Sequence, residues 1–178
     1  MLNKDGEEIL TSEFVSISGG LLTGVLLAVF VNKIYLIPGL FILMPGFLEM
    51  RGALGGALAS RISSGLYLGV LKPRFKKNPL LITHMLGTAM LIIASSLVLG
   101  IFAFLASRFI FDIHNPEIIF ISLIAGTVSI FMIPITATTT LYVFRKGYDP
   151  NNIMGPFITT LGDIVSVASF LVAILVIT

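Results

Sequence analysis

The chain has 178 residues, of which 56% are hydrophobic and 11% charged, with a formal net charge of +2 and a mean hydropathy of +1.05. Average soluble domains carry about 25% charged residues, and a globule of this size buries only about 70% of its unfolded surface. A soluble enzyme, a nucleic-acid binder and a disordered chain are therefore excluded, and the absence of Cys excludes disulfides and thiolate metal sites.

The composition predicts an all-α, polytopic membrane helical bundle with almost nothing outside the lipid bilayer. At about 20 residues per crossing, six or seven spans are the upper limit. The first twelve residues carry Lys4, Asp5, Glu7 and Glu8. They do not resemble the basic start of a signal peptide, so the first apolar segment, 13–31, is expected to remain as a span. Its Gly20 and Gly24 form a GxxxG pair, a pattern suited to close helix contact.

Residues 34–71 are broken by Pro38, Pro45, Glu49 and Arg51. Two spans in this stretch would each be short, so one span is expected at 38–64, starting near Pro38 and kinked at Pro45. Within it Gly52, Gly56, Ser60 and Ser64 recur every fourth residue. They make a narrow stripe where another helix backbone can come close. Lys72, Arg74, Lys76 and Lys77, between Pro73 and Pro79, mark the clearest loop. The third span follows at 80–105, and Arg108, Asp112, His114 and Asn115 mark the next loop. The fourth is at 117–143, with Pro134 as a kink. The fifth is at 152–177, with Asp149 as helix N-cap and Pro150 in the first turn.

Five spans put the termini on opposite sides. With the N-terminus inside, the inner loops hold Lys4, Lys72, Arg74, Lys76, Lys77, Arg145 and Lys146, against Lys33 and Arg108 outside. The positive-inside rule then places the N-terminus inside and the C-terminus outside. Residues 1–178 read as a single integral-membrane domain of a multi-pass protein in the cell membrane.

An ionisable residue deep in a span costs about 3 kcal/mol or more on insertion and marks a functional site by default. Asp163 is the sharpest case, near the middle of the fifth span. Thr159, Asp163 and Ser166 share a helical face, with Thr160 beside them. A carboxylate among hydroxyls suits a hard cation. Mg²⁺ keeps several waters and is often held by one or two carboxylates, and an oxygen-only site favours Mg²⁺ or Mn²⁺ over softer metals. The alternative is a structural Asp bonded to a neighbouring helix.

Glu49 and Arg51 point apart on a helix. Glu49 suits a water-filled path, and Arg51 either snorkels or binds a helix end; an ion pair to another helix is the alternative. Arg61 suits an anchor near the inner surface. The hydroxyls of Thr136, Thr138, Thr139 and Thr140 are expected to bond back to carbonyls near Pro134.

The stretch from Pro45 through Arg51-Gly52 to Ala59-Ser60-Arg61-Ile62-Ser63 resembles the second-span motif of MgtE-type magnesium transporters. The likeness is greatest to the half-length forms near the animal solute-carrier magnesium transporters. Ala53 departs from the family's usual Asn. The stretch Gly147-Tyr148-Asp149-Pro150 through Pro156 and Thr159-Thr160-Leu161-Gly162-Asp163 resembles the family's last-span motif, with Asn151 where this branch often has Asp.

The resemblance implies a homodimer whose pore is lined by the second and fifth spans, with Asp163 as central metal ligand and Glu49 as a further candidate. It implies a pore lining of Thr159, Thr160, Ser166, Gly52, Ala53 and Gly56, and an inner mouth at Asp149 and Asn152. The transported ion would be Mg²⁺, or Mn²⁺ or another divalent cation. The sensor region of full-length relatives has no counterpart here, so such gating would be absent or supplied by a separate regulatory chain.

A channel and a Na⁺- or H⁺-coupled exchanger or exporter both fit these residues. A helical scaffold subunit leaves the mid-span Asp unexplained. An intramembrane aspartyl protease fits poorly, because Asp149 and Asp163 lie on one helix about 21 Å apart.

Overall fold

An apolar segment long enough to cross a bilayer closes its backbone hydrogen bonds along its own axis, because lipid offers no partners. The computed structural model describes residues 4–35, 37, 39–75 and 78–177 and, of Lys33, the backbone alone. Its elements are α1 (Lys4–Tyr35), α2 (Leu40–Tyr67), α3 (Pro79–Phe111), α4 (Glu117–Ser129), α5 (Met132–Arg145) and α6 (Pro150–Ile177). No strand occurs among the described residues. The expectations placed on Pro38, Lys76, Lys77 and the Lys33 side chain lie outside the described residues.

Residues 40–67 form one helix with Pro45 inside it, as the single-span reading expects. Four helical stretches have the length and apolarity to cross a membrane: Lys4–Asn32, Pro79–Phe111, Glu117–Arg145 and Pro150–Ile177. At 28 residues α2 equals α6 in length, but Glu49, Arg51 and Arg61 dilute its apolar character.

The helices outrun the expected spans at several ends, α3 reaching Phe111 rather than 105, and two differences go further. α1 starts at Lys4 rather than near residue 13, because the helix continues through a polar end that hydropathy ignores. The fourth segment is two helices rather than one kinked helix. Ile130 N–H donates to Thr127 O at 3.2 Å and Ile133 N–H to Ile130 O at 2.9 Å, a three-residue spacing. Pro134, with no N–H to offer Ile130, sits in the first turn of α5 instead of at a mid-helix kink.

The rods alternate in direction. α1 runs parallel to α6: Lys4 Nζ donates to Gly147 O at 2.8 Å, Ser12 Oγ to Asn152 O at 3.0 Å, and Gly19 abuts Thr160. α2 runs antiparallel to α6, with Phe47 and Phe170 ring centroids 4.7 Å apart and Ala59 packed with Met154 and Ile158. α3 runs antiparallel to both α2 and α4: Gly46 meets Leu99, and Ser122 Oγ donates to Ser96 O at 2.6 Å. The α1–α2 turn closes at Gly39, whose φ of 89° is left-handed and whose Cα lies against Ser107 and Ile118. A side chain there meets both strain and a wall.

Two large apolar clusters fill most of the bundle, beside the smaller one of Ala59, Val143, Met154 and Ile158. One lies toward the α1–α2 turn, around Leu40, Phe47, Ile118, Ile121 and Phe170. The other lies toward the α2–α3 loop, around Leu58, Ile62, Leu81, Ile133 and Leu141. Arg51 falls between them. α1 stands outside, packed almost wholly on α6, with Phe14, Leu21 and Val29 exposed. The expected GxxxG contact is not made within the chain: nothing lies within 4 Å of a Cβ built on Gly20 or Gly24, and Gly19 makes the close approach instead.

Candidate functional site

α6 passes through Pro156 without breaking. A proline cannot bond the carbonyl four residues back, so Asn152 O is released, and Ser12 Oγ of α1 takes it at 3.0 Å. This fixes the first half of α6 against α1 and sets the rotation of the residues that follow. At the helix start Asp149 is the N-cap that the sequence predicts: its Oδ1 accepts from Asn151 N–H at 2.9 Å.

Asp163 lies mid-helix and half-buried. Among the described residues it has no hydrogen-bond or ion-pair partner, so the alternative of an Asp bonded to a neighbouring helix is not realised within the protomer. Its companion hydroxyls all bond one turn back: Thr159 Oγ1 to Gly155 O at 3.1 Å, Thr160 Oγ1 to Pro156 O at 2.9 Å and Ser166 Oγ to Gly162 O at 2.6 Å. A hydroxyl that donates this way keeps its lone pairs as acceptors. The three separate in space nonetheless. Thr159 is exposed, Thr160 faces Gly19 of α1, and Ser166 is fully buried, turned inward where α2 crosses over α6.

Across the seam, α2 meets α6 at Gly55, where a Cβ would sit 2.6 Å from Ile158 Cγ2. At about 100° per residue, Gly52, Gly56 and Ser60 fall on one flank of that contact. In the antiparallel partner, Gly155, Thr159 and Asp163 fall on the same flank. The burial pattern agrees: Ser60, Gly155 and Thr159 are exposed, and Gly52, Gly56 and Asp163 half-buried. Nothing lies within 4 Å of a Cβ on Gly52, Gly56 or Gly155. The result is an open groove of small residues and hydroxyls holding one unpaired carboxylate.

Glu49, exposed and partnerless among the described residues, borders this stripe, and Ala53 lies exposed at its outer edge. No three His, Asp or Glu side chains come together among the described residues. Within the groove of one protomer, then, Asp163 has at most Glu49 at the border for company.

The other end of α6 carries a polar knot that sequence reasoning missed. Glu8, its side chain 7% exposed, pairs with Lys4 at 3.7 Å. Its Oε2 accepts from Asp149 N–H at 3.3 Å and from Asn152 Nδ2 at 3.4 Å. A carboxylate beside a helix N-terminus is favoured by the helix dipole. The i, i+4 spacing of Lys4 and Glu8 was the available signal that the helix begins this early.

Arg51 turns the opposite way from Glu49, as their spacing predicts. It is 6% exposed, and its Nη1 donates to Ser129 O at 2.8 Å. That carbonyl is free because Ile133 N–H bonds Ile130 instead. Of the two expected roles for Arg51, binding a helix end is the one observed. Ser129 was not singled out in the sequence; Pro134, four residues into the broken stretch, was the clue to a stranded carbonyl there. Arg61 is exposed. Of the threonines near Pro134, Thr138 and Thr140 bond back as expected, to Pro134 O and Thr136 O, each at 2.7 Å.

A family model described as MgtE, divalent cation transporter, matches residues 44–173, from α2 to α6. No curated protein and no solved structure matches the chain.

Proposed function

Since this chain belongs to the MgtE family of divalent cation transporters, we propose that it carries Mg²⁺ through a pore formed where two copies bring their α2–α6 grooves together. The observation that carries this reading is Asp163: a carboxylate without a partner among the described residues, in the middle of an otherwise uncharged helix, half-open on a groove that no described residue fills. A charge in that position is costly, and a second carboxylate from a partner copy together with a divalent ion offsets the cost.

Two Asp163 side chains face the pore and hold a largely hydrated Mg²⁺ near the midplane. Thr159 contributes its free lone pairs to the ion's waters, and the small residues Gly52 and Gly56 give the hydrated ion room. Asp149 and Asn152, already held by Glu8, edge the inner mouth. Five rods cross the cell membrane: α1, α2, α3, the α4–α5 pair and α6. α2 belongs among them because its 28 residues span about 42 Å and it alternates in direction with its neighbours. The basic residues of the α2–α3 and α5–α6 loops face the cytoplasm.

Proteoliposomes loaded with a fluorescent Mg²⁺ indicator test the reading. Asp163→Asn abolishes uptake while the protein stays folded and dimeric by cross-linking. Uptake at the parental rate in that variant removes Asp163 from the pathway.

A further inference from the structure

Arg51 and Asp163 are two opposite charges on helices that pack together, and they do not pair. Arg51 points to the interior side of the α2–α6 seam, and Asp163 to the groove side. Among the described residues the guanidinium has no carboxylate against it, and its Nε is buried without a partner. Arg51 lines a cavity of about 10 Å³ together with Gly55, Thr88, Thr136 and Gly162, among others. Gly162 is the residue next to Asp163. A cavity of this size is at the lower limit for one water, and Thr136, 2% exposed, lines it.

A buried cation without a counter-ion is strongly disfavoured in lipid. Here it is held in place by Ser129 O on one side and the cavity on the other, level with the only carboxylate of the α6 interior.

We propose that Arg51 is a positioning residue of the permeation site: a fixed positive charge behind Asp163 that weakens the site's hold on a divalent cation so that the ion can leave. This rests on the reading of Asp163 as the cation ligand. Permeation requires binding strong enough to admit an ion and weak enough to release it. A carboxylate facing only the pore grips a divalent ion tightly, and a guanidinium one helix spacing behind it offsets part of that attraction without competing for the ligand atoms.

Mg²⁺ uptake measured against concentration tests this. Arg51→Gln lowers both the half-saturating Mg²⁺ concentration, about tenfold for a unit charge at helix-packing distance, and the maximal rate. Arg51→Lys keeps the charge and leaves half-saturation near the parental value. Thr136→Asp places a carboxylate beside the intact guanidinium and shifts half-saturation in the same direction as Arg51→Gln, which keeps the test available if the latter does not fold. Half-saturation unmoved in both charge-neutralising variants, or moved equally in Arg51→Lys, reduces Arg51 to a structural pin and overturns the proposal. Asp163→Asn run in parallel separates the two readings. If it transports, the Asp163 assignment fails and takes this one with it; if it is silent while Arg51→Gln leaves half-saturation unchanged, Arg51 alone fails.

Discussion

The two flanks of the α2–α6 seam are built from the same materials and come out opposite. Each carries charge, glycine and hydroxyls. On the interior flank Arg51 finds Ser129 O and the space around it is water-sized. On the groove flank Asp163 finds no partner in the protomer and the glycines face nothing. A polar group buried in protein is held by partners there, so the charge on the first flank is fixed in place by the fold. A polar group left open and unpaired in an apolar chain needs a partner from outside, so the second flank is where an ion and a second copy belong.

Neighbouring glycines test that contrast most sharply. Gly56→Leu fills the groove without touching the protomer, so transport is lost while thermal stability of the detergent-solubilised chain is unchanged; uptake at the parental rate would show that the groove is not the path. Gly55→Leu, one residue away, drives a side chain into Ile158 and destabilises the fold by about 1–3 kcal/mol, the usual cost of overpacking. Equal stability of the two variants would erase the difference between the flanks. Ser12→Ala strands Asn152 O and costs about 1 kcal/mol, read as a lower melting temperature. Smallest is Glu8→Gln, which weakens the knot at the start of α6 by less than about 1 kcal/mol and shows as faster hydrogen exchange at residues 4–12, with uptake through the groove intact.

The sequence made the helices legible because apolar length is visible residue by residue. It also made Asp163 legible, because one charge in an apolar helix stands out, as does the four-residue stripe on α2. It gave no view of which face of each helix meets another. In α3 and α4, lipid-facing and protein-facing positions are both apolar, so there is no periodic contrast to read. Hence Gly19 and Gly55, not Gly20 and Gly56, turned out to be the contact glycines, and Ser166 turned inward although it shares a helical face with Asp163. Helix phase is encoded locally, whereas the position of the neighbouring helix is not. The α4–α5 break shows the same limit. Pro134 announced a disturbance, but where the chain released its carbonyl, and that Arg51 would collect it, depended on an element far away in the chain.

The pairing of α1 with α6 bears on the order in which the protein is made. α1 leaves the ribosome before α2 to α5 and α6 after them, yet α1 packs almost wholly on α6 and scarcely on anything between. Throughout synthesis α1 waits in the bilayer without its mate, while α2, α3 and the α4–α5 rod assemble around contacts of short sequence separation. Closing the protomer is therefore a single late event with a large loop to close, completed when Ser12 reaches Asn152 and Glu8 reaches Asp149. A chain stopped after α5 leaves α1 adrift in lipid, a free hydrophobic helix for quality control to recognise.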